Sequence, residues 1–381
     1  MPTSHVVVVG AGIVGLAHAW MAALRGHRVT LLERSPRAAG ASIRNFGMVW
    51  PIGQPAGAPH ATALRSRARW LEAAQGAGFW IDPCGSLHLA HRDDEAAVVE
   101  EFAARAPDVG IECRLLSAAA VLERTPAANP AGLRCGLWSP AECAVDPPEA
   151  IRALPGWLAA RYGIECRFAT AVTRIERDRA VVVETAAGER LSCDRAIVAG
   201  GADLETLFPR ELAAAGLTLC KLQMLRTVAQ PDGWRAGCHL ASGLTLRHYA
   251  SFAGCPSLPA LRARIARETP ELDLHGIHVM VSQTGTGEVI LGDSHHYDAA
   301  IEPFDSEVVE SLMLRELARA YRLPDWSIAA RWHGFYAKLP GACEWRAEPL
   351  PGVHLVTGLG GAGMTMAFGL ADEAWMEWDD A

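Results

Sequence analysis

Val6-Val7-Val8-Val9-Gly10-Ala11-Gly12-Ile13-Val14-Gly15 is the stretch that decides the fold of this 381-residue chain. Its run of valines predicts a buried strand, and the glycines have the GxGxxG spacing of a turn that leads directly into a helix. An Ala-rich helix is predicted over 15–25, followed by a second strand over 29–33. The stretch therefore predicts a β-α-β unit of a parallel sheet.

The three glycines and the acid that closes the second strand each have a separate physical role. Gly10 permits the tight turn, Gly12 lets backbone N–H groups approach a pyrophosphate, and Gly15 lets the helix pack closely on the strand. The helix N-terminus favours negative charge. Glu33 can accept hydrogen bonds from both ribose hydroxyls, and its charge would repel a 2′-phosphate. The unit predicts a bound dinucleotide without choosing between FAD and NAD.

Composition narrows the class of protein. Half of the residues are apolar, only 20% are charged, and the net charge of −8 gives no electrostatic case for a nucleic-acid partner. No apolar run reaches membrane-spanning length, and no signal-peptide pattern precedes Val6. The ten cysteines are scattered singly without a CxxC pair, which indicates neither a disulfide framework nor a zinc cluster. We expect a cytoplasmic protein without stable membrane insertion, nucleic-acid partner or metal.

The distribution of strand patterns indicates two interleaved domains. Parallel-sheet patterns occur at the start, middle and end of the chain, and antiparallel patterns lie between them, for example at 217–227, 244–250, 278–282 and 288–292. The predicted fold class is α/β (α+β), with a Rossmann-like domain interleaved with an antiparallel-sheet substrate domain. The nucleotide-binding domain is predicted over 1–85, 146–216 and 328–381, and the substrate domain over 86–145 and 217–327.

Two further glycine-rich segments choose the cofactor. They are Gly40-Ala41-Ser42-Ile43-Arg44-Asn45-Phe46-Gly47-Met48 and Gly358-Leu359-Gly360-Gly361-Ala362-Gly363-Met364-Thr365, the second of which opens the last predicted helix. A second glycine-lined helix N-terminus suits a larger cofactor that is held at two places. Together with the first turn, Ala171-Val172 and Ala199-Gly200-Gly201, these segments resemble the D-amino-acid oxidase superfamily, which includes glycine oxidase, sarcosine oxidase and D-amino-acid dehydrogenase.

This resemblance covers essentially the whole chain and implies a D-amino-acid oxidase-like fold with bound FAD. The implied cofactor-binding residues are Gly10, Gly12, Ile13, Val14, Gly15, Glu33, Arg34, Ser42, Arg44, Asn45, Phe46, Gly47, Met48, Val172, Gly200, Gly201, Gly358, Gly360, Gly361, Gly363, Met364 and Thr365. Covalent attachment, as in sarcosine oxidases, would need a cysteine within Gly334–Pro340. That segment has none, so non-covalent FAD is predicted.

The family passes a hydride from the carbon beside an amine to the flavin, with oxygen or another electron acceptor completing the cycle. In its amino-acid oxidases an arginine clamps the substrate carboxylate after a strand that corresponds to His278–Thr284, and a second arginine falls near Tyr336. Both arginines are missing here, which argues against an ordinary α-amino acid, because a buried carboxylate needs its bidentate partner. Alternatively, another arginine such as Arg247 has taken over.

Three detailed motifs resemble one subfamily, the FAD oxidoreductases associated with bacterial phosphonate breakdown. They are Arg44–Pro55, Lys221–Thr227 and Gly292–Tyr297. The resemblance implies oxidative deamination of 2-aminoethylphosphonate or its N-methyl derivative to phosphonoacetaldehyde. A glycine, sarcosine or D-amino-acid oxidase acting on a small amino acid remains the alternative. A flavoprotein chaperone or a tRNA-modifying protein is the alternative from a different functional class. The net negative charge of the chain argues against this alternative.

The substrate side of the site is predicted from polar residues in segments that face one cavity in this family. Lys221 and Lys338 are the only lysines among 35 basic residues, and a lysine near the flavin would supply a positive charge for oxygen activation. The predicted catalytic residues are Lys221, Lys338, Tyr336 and His295. The predicted substrate-binding residues are Arg44, Met48, Arg247, His248, Tyr249, Gln283, His296 and Tyr297.

Overall fold

A computed structural model describes residues 4–380. Its α-helices are α1 (Ile13–Leu24), α2 (Ala58–Ala77), α3 (Asp93–Arg105), α4 (Ala118–Arg124), α5 (Pro147–Tyr162), α6 (Pro209–Ala214), α7 (Leu258–Glu268), α8 (Pro270–Leu274), α9 (Glu307–Ala320) and α10 (Gly363–Asp380). Its strands are β1 (His5–Val9), β2 (Arg28–Leu32), β3 (Met48–Val49), β4 (Ile81–Asp82), β5 (Ser86–Ala90), β6 (Arg114–Ser117), β7 (Cys135–Ser139), β8 (Cys143–Val145), β9 (Glu165–Arg167), β10 (Val172–Arg177), β11 (Val181–Thr185), β12 (Arg190–Cys193), β13 (Arg195–Val198), β14 (Thr218–Ala229), β15 (His239–Ala241), β16 (Met280–Gln283), β17 (Glu288–Gly292), β18 (His296–Asp298), β19 (Ile328–Lys338), β20 (Trp345–Leu350) and β21 (Val353–Thr357).

The first sheet has the order β20-β21-β13-β1-β2-β9 and is parallel except at its β20 edge. Its strands come from the start, middle and end of the chain. The two glycine turns, which follow β1 and β21, lie at the same end of this sheet. The reason is that β1 and β21 run in the same direction and each leads into a helix. This is the predicted β-α-β unit, completed by distant segments.

The second sheet contains nine strands in the order β18-β14-β17-β16-β15-β5-β7-β6, with β19 also paired to β14. Strand β19 lies in the segment 328–381, yet it pairs with β14 from Thr218↔Lys338 to Thr227↔Ile328. It then leads towards the first sheet through the turn before β20. Strand β19 therefore links the two sheets at their junction. The α/β fold class, with a Rossmann-like sheet and a largely antiparallel second sheet, is confirmed.

One predicted strand is wrong. Residues 244–250 are predicted to extend, but Gly243–Arg247 forms a 3-10 helix. The backbone turns because the Ser242 carbonyl accepts from both the amide and the hydroxyl of Thr245, the latter at 2.6 Å. Local side-chain bonding of this kind competes with sheet pairing. The turn places His248 and Tyr249 beside the second sheet.

Helices α1 and α10 pack against each other over the first sheet. Alanine and glycine occupy much of α1, so its backbone approaches the sheet closely and its residues 15–22 are all buried. Trp20 lies edge-on to Phe368 of α10, with ring centroids 5.3 Å apart. In the described part of the chain, no helix combines the length and apolarity that a bilayer span requires.

Candidate functional site

The first glycine turn, between β1 and α1, can be built only from glycine at two positions. Gly10 has φ +102°, and a Cβ there would collide with the Ala199 carbonyl oxygen. A Cβ on Gly15 would collide with the carbonyl oxygen of Gly10. No side chain caps α1 at Gly12. The turn thus presents a helix N-terminus without a cap from its own N-cap residue, which is the arrangement that binds a pyrophosphate.

The acid that follows β2 is held against this turn. Glu33 is buried, and its two carboxylate oxygens accept from the Ala11 amide at 2.9 Å and the Ser35 amide at 3.0 Å. Next to it, Arg34 forms an ion pair of 2.6 Å with Asp203. These two hydrogen bonds fix the orientation of the Glu33 carboxylate, as recognition of a ribose requires.

The segment 40–50 lies along the first turn and reaches towards the last helix. The Ser42 hydroxyl accepts from the Ile13 amide at 2.9 Å. The Asn45 side chain closes the loop by donating to Ala41 and accepting from Gly47. Beyond it, the Trp50 amide donates to the Thr365 hydroxyl at 2.9 Å. These bonds join the two glycine turns through one loop.

The second glycine turn, between β21 and α10, closes on the end of β19. Gly358 and Gly360 have φ values of +80° and +58°. The Leu339 amide donates to the Gly358 carbonyl at 3.1 Å. A methyl group built on Gly361 would lie 3.5 Å from the Tyr336 hydroxyl. Helix α10 begins at Gly363, so a second helix N-terminus faces the second sheet.

Two further predicted cofactor residues lie at the start of β10 and next to the end of β21. Val172 begins β10 and is buried, and the Gly201 carbonyl accepts from Thr357 at 2.8 Å. The two turns, the ordered Glu33 carboxylate and the connecting loop fit an extended dinucleotide that spans both helix N-termini.

The pleat and register of the second sheet bring a polar group to the second turn. Cys220 of β14 lies opposite Tyr297 of β18 and opposite Tyr336 of β19. Residues opposite each other share one face, and so do residues two apart along a strand. Lys338 therefore joins this face, where its Nζ lies 3.3 Å from the Tyr297 hydroxyl. We call Tyr297, Tyr336 and Lys338 the turn-facing group.

The same pleat sends the other predicted lysine to the opposite face. Lys221 follows Cys220 directly and lies opposite His296 and Phe335. It forms an ion pair of 2.9 Å with Asp305 and donates to the carbonyls of Glu302 and Phe304. The structure does not bring Lys221 to the turn-facing group.

Burial sets the protonation of Cys220, Tyr297 and Tyr336. It raises the pKa of the Cys220 thiol to about 11, so this residue stays a thiol. It also raises the pKa of Tyr336 and Tyr297 above the ordinary phenol value. Both tyrosines are neutral hydrogen-bond donors at physiological pH, beside the lysine cation.

A row of aromatic rings continues from Tyr297 into the protein. The ring of His295 is stacked 6.2 Å from Tyr297, and that of His278 is stacked 4.8 Å from His295. His248 completes the row at 3.9 Å from His278. A Cβ on Gly292 would lie 3.4 Å from the ring of Phe46, which places this ring beside the end of β17.

Three predicted substrate residues are engaged elsewhere. The Arg247 guanidinium binds Asp273 at 3.0 Å and two backbone carbonyls. The Gln283 amide bonds only to backbone groups of Trp234, Ala236 and Gly287. Arg44 makes a long contact of 3.5 Å to the His333 carbonyl.

Other predicted substrate residues differ in their exposure. His296 is exposed, whereas Met48 is buried in β3. Tyr249 donates its hydroxyl to Met280 Sδ and packs 5.2 Å from His248. Tyr249 therefore lies beside the histidine row rather than at the glycine turn.

Sequence reasoning missed Cys220, His278 and Asp293. Asp293 is buried between two histidines, with Oδ1 3.5 Å from His278 Nε2 and Oδ2 3.8 Å from His295 Nε2. No short spacing motif joins these positions. The one available signal is the polar run Asp293-Ser294-His295-His296 directly after an apolar strand.

A family model described as "FAD dependent oxidoreductase" (DAO) matches residues 5–374. The tRNA 5-methylaminomethyl-2-thiouridine biosynthesis bifunctional protein MnmC of Chromohalobacter salexigens is 37% identical over 107 residues, which are 27% of this chain and 15% of that protein. The MnmC protein of Ralstonia nicotianae is 31% identical over 184 residues, 46% of this chain and 27% of that one. The chain thus matches well under a third of the length of these relatives.

Solved structures share the whole fold. Glycine oxidase of Geobacillus kaustophilus superposes with a TM-score of 0.76 over 99% of this chain and 95% of that one, at 18% identity. L-alpha-glycerophosphate oxidase of Mycoplasma pneumoniae gives 0.74 over 99% and 96%, at 19% identity. Iminodiacetate oxidase of Chelativorans sp. BNC1 gives 0.71 over 98% and 95%, at 19% identity. At such identities the likeness shows the fold.

Proposed function

Because the chain belongs to the DAO family of FAD-dependent oxidoreductases, we propose that it oxidises the carbon–nitrogen bond of a small anionic amine. A compound of the glycine, sarcosine or D-amino-acid type is the substrate class with most support. Two similar structures bear names of enzymes for such compounds, glycine oxidase and iminodiacetate oxidase. The MnmC relatives concern a methylaminomethyl group by name.

One observation carries this proposal. Tyr297, Tyr336 and Lys338 converge on the second glycine turn from a single sheet face, and the side chain of Lys338 lies 3.3 Å from a Cβ built on Gly360. Two neutral phenols and an ammonium group suit an anionic amine, because they supply donors and one positive charge. They surround the place where this fold offers its second helix N-terminus.

Bound FAD supplies the acceptor for a hydride from the carbon next to the amine. The chain's own part is to bind and orient the substrate and to exclude water. We assign the phenol groups of Tyr336 and Tyr297 to its anionic end and the Lys338 ammonium to oxygen activation. The resulting imine hydrolyses to a carbonyl compound. FAD is non-covalent, because Gly334–Pro340 contains no cysteine, and acid precipitation should release it into the supernatant.

An aminophosphonate is the second candidate substrate class. It is favoured by the two missing arginines, because neither the segment 278–284 nor the position near Tyr336 carries the arginine that clamps a carboxylate in the family's amino-acid oxidases. Gln283 and Arg247 are both committed to contacts within the protein. Neither residue is therefore free to bind a substrate carboxylate in place of the missing arginines. The motifs 44–55, 221–227 and 292–297 resemble the subfamily associated with phosphonate breakdown.

The experiment that tests the activity is anaerobic mixing of the flavoprotein with glycine, sarcosine, D-alanine, 2-aminoethylphosphonate and its N-methyl form. Bleaching of the flavin by one of these amines, followed by peroxide release in air, is the expected result. Bleaching by the phosphonates alone would select the second candidate. A flavin that no amine in the panel reduces would contradict the proposal.

The two lysines are separated by a paired comparison of Lys338→Met and Lys221→Met. We expect Lys338→Met to slow reoxidation of the reduced flavin by oxygen about 100-fold or more, because a fixed positive charge near the reacting atoms is worth several kcal/mol. Lys221→Met should keep a nearly normal rate, because Lys221 binds Asp305 on the other face. Equal losses in the two variants, with normal FAD content, would contradict the assignment.

A further inference from the structure

Four side chains from three separate segments converge beyond the turn-facing group. His248 follows the 3-10 helix Gly243–Arg247, His278 precedes β16, and Asp293 and His295 follow β17. One ring nitrogen from each histidine lies within 4.8 Å of the other two. We call these four residues the histidine cluster. It lies outside both glycine turns.

The cluster contains polar atoms that lack partners among the described residues. His278 is 3% exposed, and neither of its ring nitrogens makes a hydrogen bond. Asp293 is 5% exposed, and its Oδ1 is likewise unpaired. A buried polar group without a partner destabilises the folded protein, and more so when it is charged. Several such atoms in one place are what an unfilled ligand site would show.

The hydrogen-bond pattern leaves nitrogen lone pairs directed into the cluster. The Nδ1 atom of His295 lies 3.1 Å from the Gly276 carbonyl, which fixes Nδ1 as the donor and Nε2 as the lone-pair atom. A backbone carbonyl behind a histidine is the usual support for a metal ligand.

We propose that His248, His278 and His295 form a binding site for a divalent transition metal of the zinc class. Three imidazole nitrogens are ligands that Zn²⁺ accepts, and they do not suit Mg²⁺ or Ca²⁺, which prefer oxygen. The cation would occupy the space between the rings, beside the buried Asp293 carboxyl group. It would use an unpaired nitrogen of His278.

The site has an entry path. His248 is exposed, and with His278 it lines a cavity of about 540 Å³ that also contains Arg247 and Arg262. Water from this cavity can complete the coordination shell.

The test uses the flavoprotein purified without a polyhistidine tag, stripped with a chelator and dialysed against Zn²⁺. Metal analysis should find about one Zn²⁺ per chain, held in the presence of millimolar Mg²⁺ and Ca²⁺. His278→Gln and His248→Gln should each weaken binding by more than about 100-fold, because loss of an outer partner alone costs 10–100-fold. His296→Gln is the matched control, since this exposed neighbour lies outside the cluster.

Flavin content and thermal unfolding are measured on every variant. Zn²⁺ should raise the melting temperature of the native protein and of His296→Gln, and leave His248→Gln unchanged, because a ligand of the folded state stabilises it. His248 is exposed, so its variant should fold even if His278→Gln does not. Failure of the native protein to retain Zn²⁺, or retention by His248→Gln at native affinity, would overturn the proposal.

Discussion

Single residues set the limits of the first glycine turn, at which we propose that FAD binds, and Gly10 is the clearest example. Its positive φ and the nearness of the Ala199 carbonyl exclude any side chain. Helical Gly156, in contrast, has no atom within 4 Å of the position that an added Cβ would take. Two glycines of one chain thus differ completely in what they tolerate.

Gly10→Ala should abolish FAD binding, because the added methyl group must displace β13 or the turn. The flavin absorbance of the purified variant is the measurement. Gly156→Ala is the control and should keep its FAD. It should gain about 0.5–1 kcal/mol of stability, since alanine is favoured over glycine inside a helix. Full FAD content in Gly10→Ala would contradict this account of the turn.

Glu344 titrates in an unusual range. Burial raises the pKa of its carboxyl to about 7, although Arg346 lies 2.8 Å away. A carboxyl whose folded pKa exceeds its unfolded value destabilises the protein as the pH rises from the unfolded pKa through the folded one. Glu344→Gln should therefore gain stability relative to the native chain between pH 5 and pH 8, by roughly 3 kcal/mol at most. Urea unfolding of FAD-saturated protein measures it, and a pH-independent difference would refute it.

At the scale of elements, strand register decides which residues meet. Cys220 and Lys221 are neighbours in sequence, but the pleat of β14 sends one towards Tyr336 and the other to Asp305. A shift of one residue between β14 and β19 would exchange these faces. The turn-facing group is therefore a property of strand pairing.

Helix α5, which packs on α1 and α2, offers a test of local helix physics. The Asp146 side chain accepts from the Glu149 amide at 2.9 Å, and Pro147 follows it at the first helical position. Asp146→Ala should lower the free energy of unfolding by about 1 kcal/mol, because one amide loses its cap. Exposed Glu112→Ala should change it by less than about 0.5 kcal/mol. Equal effects of the two changes in chemical unfolding would contradict the capping role.

At the scale of the whole molecule, many histidines are buried in neutral form. Burial lowers the pKa of His18 and His88 to about 3 and that of His239 to about 4. Neither ring nitrogen of His88 finds a partner among residues 4–380. The fold thus carries bases that must remain uncharged.

Acid should destabilise the protein below about pH 6.5, because the unfolded chain binds protons there that the folded chain cannot. A group whose pKa is lower in the folded chain than in the unfolded chain stabilises the protein fully at pH values above its unfolded pKa. This stabilisation is lost as the pH falls. Each such group contributes up to about 1.4 kcal/mol per pH unit. His88→Leu should have a shallower pH dependence of unfolding free energy between pH 7 and pH 5. An unchanged slope would show that His88 does not contribute.

The sequence by itself determined the two glycine turns at which we propose that FAD binds. The first glycine turn, Glu33 and the second turn are local patterns, because turn geometry and helix N-termini depend on residues close together in the chain. The α/β fold class follows from the same strand–turn–helix order. The prediction of a strand at 244–250 is wrong, because the hydrogen bond from the Thr245 hydroxyl to the Ser242 carbonyl turns the backbone there.

Only the tertiary structure shows which side chains come together on the proposed substrate side of the site. Lys338 and Lys221 look equivalent as isolated lysines, but the pairing of β14 with β19 separates them. His248, His278, Asp293 and His295 come from three segments with no common spacing, and sheet pairing brings their polar atoms together. The physical reason is that long-range strand register and burial, rather than local propensity, determine which distant side chains share one space.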